Sequence, residues 1–152
     1  DVKSTPLKSL QGRIWKSGFQ SGQLVSHVFD DVPPSLAMWS ASGIDIRIYS
    51  SGSIEAQKLF FSHTTAGDLT KHLRGHYDTT TGPKREKASY QKIAHHMGIN
   101  PENILFLSDV GAELDAARVA GMATGATIRP GNKPFESLYD HDQIETFSDV
   151  TL

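Results

Sequence analysis

The chain has 152 residues, 38% of them apolar and none of them cysteine, with 15 basic and 17 acidic side chains for a formal net charge of −2. At this length one ordinary hydrophobic core is expected, burying about 70% of the unfolded chain's surface. Nothing in the balanced charge suggests a general affinity for nucleic acid or anionic membrane, and small neutral or metal-compensated ligands are expected. The lack of cysteine removes disulfides, thiolate zinc sites and cysteine nucleophiles together, and it fits a reducing, cytoplasmic setting. No apolar stretch approaches the ~20 residues needed to cross a bilayer, and Asp1-Val2-Lys3-Ser4-Thr5-Pro6 is not a signal peptide. A start at Asp rather than Met leads us to expect a processed chain or a piece of a longer one.

In chain order, Leu7, Leu10, Ile14 and Trp15 line one face of a first helix, and Leu36, Met38 and Trp39 serve a second before Gly43. No strand precedes them, so they read as helices awaiting a partner. Ile44, Ile46 and Ile48 alternate with Asp45 and Arg47, predicting a strand over 44–50. Ser51-Gly52-Ser53 then turns into a helix over 54–61, N-capped by Ser53. Gly67, Gly75, Gly82 and Pro83 mark a looser region of short elements joined by loops. From Glu86, the spacing of Tyr90, Ile93, Ala94 and Met97 predicts an amphipathic helix ended by Gly98. A buried strand over 104–108, a helix over 112–120 stopped by Gly121, and a strand over 123–128 follow. Such alternation predicts an α/β fold, a Rossmann-like parallel sheet flanked by helices with right-handed crossovers.

The candidate chemistry lies at strand ends, where open parallel sheets bind ligands. Asp109 closes the apolar run Ile104 to Ser108; it is either a ligand for a hard divalent cation or the N-cap of the next helix. Ser50 and Ser51 sit between a strand and a helix N-terminus, which favours an anion such as phosphate; the plainer alternative is a helix cap with solvent-facing serines. Lys84, in the stiff loop Thr81-Gly82-Pro83-Lys84, either points inward or is one of several surface cations with Arg85 and Lys87. An ammonium ~4 Å from a phosphoryl oxygen gains about 4 kcal/mol at an effective dielectric of 20, roughly a thousandfold in rate if it acts only in the transition state. Glu113 either supplies outer-shell charge to a metal or complements the helix dipole, and for Asp115 the dipole is the favoured explanation. His72 and His76 stand four apart with Gly75 between them, so no histidine metal site is assigned. Neither a P-loop nor a G-x-G-x-x-G sequence is present, so nucleotide binding has no support.

Ile48-Tyr49-Ser50-Ser51-Gly52-Ser53, the later Lys84 and Leu107-Ser108-Asp109-Val110 resemble, in order and spacing, motifs two, three and four of the haloacid dehalogenase superfamily of phosphohydrolases. More narrowly, Leu7 to Trp15, Ile48 to Lys58 and Arg129-Pro130-Gly131-Asn132 resemble the enolase-phosphatase (acireductone synthase) family of methionine salvage, over nearly the whole chain. The resemblance implies a hydrolase that enolises 2,3-diketo-5-methylthiopentyl 1-phosphate and then removes its phosphate, using Mg²⁺ and an aspartate nucleophile. It implies that Ser50, Ser51 and Lys84 bind the phosphoryl group, that Lys84 is also catalytic, and that Asp109 ligates Mg²⁺. The family's first motif, which carries the nucleophile, is not found: Val28-Phe29-Asp30-Asp31-Val32-Pro33-Pro34 lacks the second acid and the Gly-Thr, and its prolines suit a helix start. Residues 1–28 are therefore expected to be a remnant of a helical cap and linker, and residues 29–152 a haloacid dehalogenase-like core without its first strand. The isolated piece is expected to be a monomer with little or no turnover, active when its N-terminal segment is present. The alternative is a non-catalytic phosphate-binding or interaction module of the same fold.

Overall fold

The computed structural model describes residues 5–152, with side chains from Ser9 onward; the place expected for the Leu7 side chain lies outside the described residues. The chain divides into two compact units that meet between Asp78 and Thr79.

The first unit contains α1 (Thr5–Gln20), α2 (Val32–Ala41), β1 (Arg47–Tyr49), α3 (Ile54–Ser62) and β2 (Gly75–Tyr77). On α1, Leu10, Ile14 and Trp15 are 48–58% exposed, so this apolar face remains turned to solvent; the helix is tied to α3 by Lys16 Nζ on Glu55 Oε1 at 3.2 Å. Pro33 and Pro34 open α2, where a missing N–H costs nothing. Leu36 and Trp39 are buried, whereas Met38 is 55% exposed, contrary to its expected place on the same face. The cause is helical geometry, since two residues turn the helix by ~200° while three return it near the same side.

The expected strand over 44–50 is ordered as a strand only at Arg47–Tyr49. It pairs in parallel with β2, Ile48 opposite His76 and Tyr49 opposite Tyr77. Asp45 and Arg47, two apart and so on one strand face, join through Nε–Oδ1 at 3.0 Å and Nη2–Oδ2 at 2.9 Å. The Asp45 hydrogen bonds, with that of Tyr77, outweigh burial and hold the Arg47 guanidinium above its ordinary pKa. β2 was not anticipated as a strand: it is only Gly75-His76-Tyr77, too short to show a period.

The second unit contains α4 (Lys87–Met97), β3 (Leu105–Ser108), α5 (Gly111–Val119), β4 (Ala123–Thr127) and β5 (Asp142–Ile144). Gly98, at φ 67°, closes α4 in the left-handed conformation that glycine adopts without penalty. The three strands are parallel in the order β3-β4-β5, with Leu105 opposite Ala123, Ser108 opposite Ala126, and Thr127 opposite Ile144. Tyr90, Leu114, Ala117 and Ala126 are fully buried in this unit's core; a fully buried side chain of Leu size contributes about 1.5–3 kcal/mol. Tyr90 meets Phe106 edge to face at 5.0 Å between ring centroids.

The α/β class and the parallel, helix-flanked strands agree with expectation, with two differences. The strands form two sheets, one per unit, rather than one continuous series. β5 was not foreseen, because residues 128–141 cross from β4 to β5 without a helix and so break the alternation on which the expectation rested.

Candidate functional site

In the second unit a polar network forms at the carboxyl end of β3. Ser108 ends the strand; its Oγ donates to Glu113 Oε2 at 3.0 Å and accepts the Val110 N–H at 3.1 Å. The same Glu113 oxygen takes Lys84 Nζ at 2.7 Å. Glu113 is only 7% exposed, and a carboxylate that poorly hydrated needs such partners to stay in place. Glu113 lies in the first turn of α5, as the helix-dipole alternative requires, and its side chain also contacts Lys84 and Ser108.

The loop before α4 fixes Lys84 through its backbone. Tyr90 Oη donates to the Lys84 carbonyl at 2.6 Å and Ser89 Oγ to the Pro83 carbonyl at 2.7 Å, from the two most buried residues of α4. Any side chain at Gly82 would collide with Ser89 Oγ. The Lys84 side chain is 19% exposed, so the inward placement is realised and the surface-lysine alternative is not.

Asp109 follows Ser108 and is exposed. The N-cap position of α5 is Val110, with no side-chain cap bond, so Asp109 is not the helix cap that the sequence left open. Its Oδ2 accepts Asn132 Nδ2 at 3.0 Å.

In the first unit, Ser50 follows β1 and its Oγ accepts the Gly52 N–H at 3.1 Å, which leaves its own proton for another acceptor. Ser51 is exposed on the turn. Ser53 is the N-cap as expected, accepting the Ala56 N–H at 3.1 Å. The turn is secured by Gln57, 5% exposed, whose Nε2 donates to the Gly52 carbonyl at 2.9 Å and the Tyr77 carbonyl at 2.8 Å. Its Oε1 lies 3.0 Å from His76 Nδ1, which therefore carries the proton. Burial, with the Lys58 charge, holds the His76 pKa below its ordinary value. Gln57 was read only as part of a helical period; a buried amide on a helix beside a strand end was the signal. A groove of about 1020 Å³ between α1, α3 and β2 is lined by neither Ser50 nor Ser51.

Asp115 corrects an expectation. It is not a dipole-complementing surface acid but 8% exposed, accepting Ser137 Oγ at 2.6 Å, the Leu138 N–H at 2.9 Å and His141 Nε2 at 3.0 Å. Burial pushes its pKa up, but the bonds from Ser137, His141 and Leu138 outweigh it and hold the carboxyl below the usual range. His141 Nδ1 lies 2.7 Å from Thr124 Oγ1.

Among the described residues no three His, Asp or Glu side chains converge as a metal cage. Glu113 is engaged by Lys84 and Ser108, so Asp109 is the carboxylate this rim offers. One hard oxygen ligand fits Mg²⁺, which binds through one or two carboxylates and completes its shell with water and substrate phosphate. His72 lies in the 3-10 turn Thr70–His72 and His76 in β2, so they share no helix. Asp30 and Asp31 precede α2 in a turn and do not end a strand.

The haloacid dehalogenase-like hydrolase family matches over residues 16–121. Over 151 residues, 99% of this chain, the sequence is 52% identical to enolase-phosphatase E1 of Sorangium cellulosum and covers 64% of that protein. It is 51% identical to enolase-phosphatase E1 of Pseudomonas aeruginosa strain LESB58 over 152 residues, all of this chain and 66% of the relative. The chain thus spans slightly less than two thirds of these curated relatives. The crystal structure of the UTR4 protein of Saccharomyces cerevisiae superposes with a TM-score of 0.86 at 36% identity, covering 99% of this chain and 69% of that one. With the strand-end serine, the loop lysine and the strand-end aspartate in the places described, these matches establish that the chain belongs to the haloacid dehalogenase-like hydrolase family.

Proposed function

We propose that the full-length protein is a Mg²⁺-dependent enolase-phosphatase that converts 2,3-diketo-5-methylthiopentyl 1-phosphate to acireductone by enolisation and dephosphorylation. Relatives about half identical carry the enolase-phosphatase name. The observation that carries the proposal is the Lys84–Glu113–Ser108 network beside Asp109, at the strand end where parallel sheets bind ligands. Within this proposal residues 1–28 are the end of a helical cap with its linker and residues 29–152 the catalytic core of a monomeric cytoplasmic protein.

The roles follow from the chemistry of phosphoryl transfer, in which positioning and charge stabilisation dominate. Ser50 and Ser51 donate hydrogen bonds to phosphoryl oxygens. Lys84 neutralises the charge that develops there, and Glu113 holds its ammonium against rotation. Asp109 holds Mg²⁺, whose charge offsets that of the phosphate dianion. The test is phosphate release from the diketone phosphate by the full-length protein with and without Mg²⁺. Mg²⁺-dependent release, abolished in Asp109→Ala, is expected; undiminished turnover in that variant would contradict the metal assignment.

A further inference from the structure

Arg129-Pro130-Gly131-Asn132 has no role in the chemistry above, yet its geometry is closely determined. Asn132 donates its N–H to the Arg129 carbonyl at 3.1 Å, Pro130 takes the position whose φ it presets, and Gly131 follows at φ 88°, which together make a type II turn. The Asn132 side chain locks the same turn from the other direction, its Oδ1 accepting the Arg129 N–H at 2.6 Å. Because that oxygen faces a donor, the orientation of the amide is settled and its NH₂ must point outward. It points at Asp109, with Nδ2 at 3.0 Å from Oδ2.

The turn opens the segment 128–141 that crosses from β4 to β5 without a helix. A connection of this length with no secondary structure is uncommon inside a compact unit, and the second part of this one, residues 136–141, is fastened to α5. The Glu136 carbonyl packs so closely on Gly111 that a Cβ there would collide with it. Ser137, Leu138 and His141 close on Asp115. The strap thus holds Asn132 against Asp109, the residue that follows the strand.

The geometry points to Asn132 as the positioning residue of Asp109, an inference that rests on the proposed metal role of that aspartate. The terminal torsion of an aspartate is soft, and Asp109 is exposed. Tying Oδ2 to a rigid turn orients Oδ1 for a cation and removes most of the rotational freedom that binding would otherwise have to freeze. Partners that orient metal-ligating side chains commonly change metal affinity by about 10–100-fold when removed.

The test uses the full-length protein without substrate, titrated with Mg²⁺ alone by calorimetry, alongside the melting temperature of the metal-free protein. Asn132→Ser is the informative variant, because its hydroxyl still accepts the Arg129 N–H but falls short of Asp109. Its Mg²⁺ dissociation constant is expected to rise about tenfold with an unchanged metal-free melting temperature; Asn132→Ala is expected to weaken Mg²⁺ equally while also lowering that temperature. Loss of Mg²⁺ binding in Asp109→Ala together with an Asn132→Ser affinity within about twofold of the parent would overturn this inference alone. Unchanged Mg²⁺ affinity in Asp109→Ala would overturn the metal assignment and this inference with it.

Discussion

The two strand-end regions solve different physical problems. At the end of β3 the candidate groups are charged, Lys84 and Glu113 are poorly hydrated, and each is held by another side chain: Lys84 by Glu113, Glu113 also by Ser108, and the exposed Asp109 by Asn132. After β1 the candidate groups are hydroxyls, with Ser50 Oγ accepting the Gly52 N–H and the backbone of the turn held by the neutral amide of Gln57. A buried charge without a partner is far more costly than a hydroxyl that can turn toward water. The first region must therefore be built as a network, and the second needs only a shaped turn.

Substitutions that remove the holding residues should grade accordingly. Glu113→Ala leaves the Lys84 ammonium without its carboxylate and should destabilise the second unit by about 3 kcal/mol, the lower end for breaking a buried pair because Lys84 keeps some hydration. Urea unfolding measures this, and an effect under about 1 kcal/mol would reduce the pair to an ordinary surface contact. Gln57→Leu is nearly isosteric but removes the Gln57 donor from the Gly52 carbonyl and one of two donors from the Tyr77 carbonyl, which keeps the Ser50 N–H at 3.1 Å, costing about 1–3 kcal/mol; here the difference between the regions narrows, since a neutral lock is being removed from part-buried acceptors.

Asp115→Asn should be felt through pH. The carboxyl of Asp115 is held below the usual range in the folded protein, so its contribution is present above the unfolded carboxylate pKa and is lost as pH falls through the folded value. The variant should unfold with a weaker dependence on pH below about 4, by circular dichroism, while an unchanged acid transition would place the titrating group elsewhere. His76 predicts the smallest effect. Its folded pKa is lowered, so its contribution is present above about 6.5 and fades below it, and His76→Gln should flatten that part of the stability profile.

How far these arrangements could be read from the chain follows from their range. Helices with a strong period, such as α3 and α4, appeared within one or two residues of their observed bounds, because Ser53, Gly98 and the Tyr90–Ile93–Ala94 stripe are local signals. β2 and β5 did not, since three-residue strands held by their neighbours carry no period of their own. The candidate residues Ser50 and Asp109 are marked by motifs at strand ends and Lys84 by its Gly-Pro loop. Their holders are not, because the Glu113–Lys84 pair and the Asn132–Asp109 bond join residues 29 and 23 positions apart. Asp115 was misjudged for the same reason: near a helix start an acid suggests the dipole, and only the fold brings Ser137 and His141 to it.

The role proposed for Lys84, one ammonium offered to a phosphoryl group, can be read from kcat of Lys84→Met in the full-length protein, with saturating diketone phosphate and Mg²⁺. A fall of about a thousandfold is expected, the worth of a unit charge placed ~4 Å from the developing charge, with the circular dichroism of the folded protein retained. A kcat within about tenfold of the parent, with the loss confined to KM, would contradict that role.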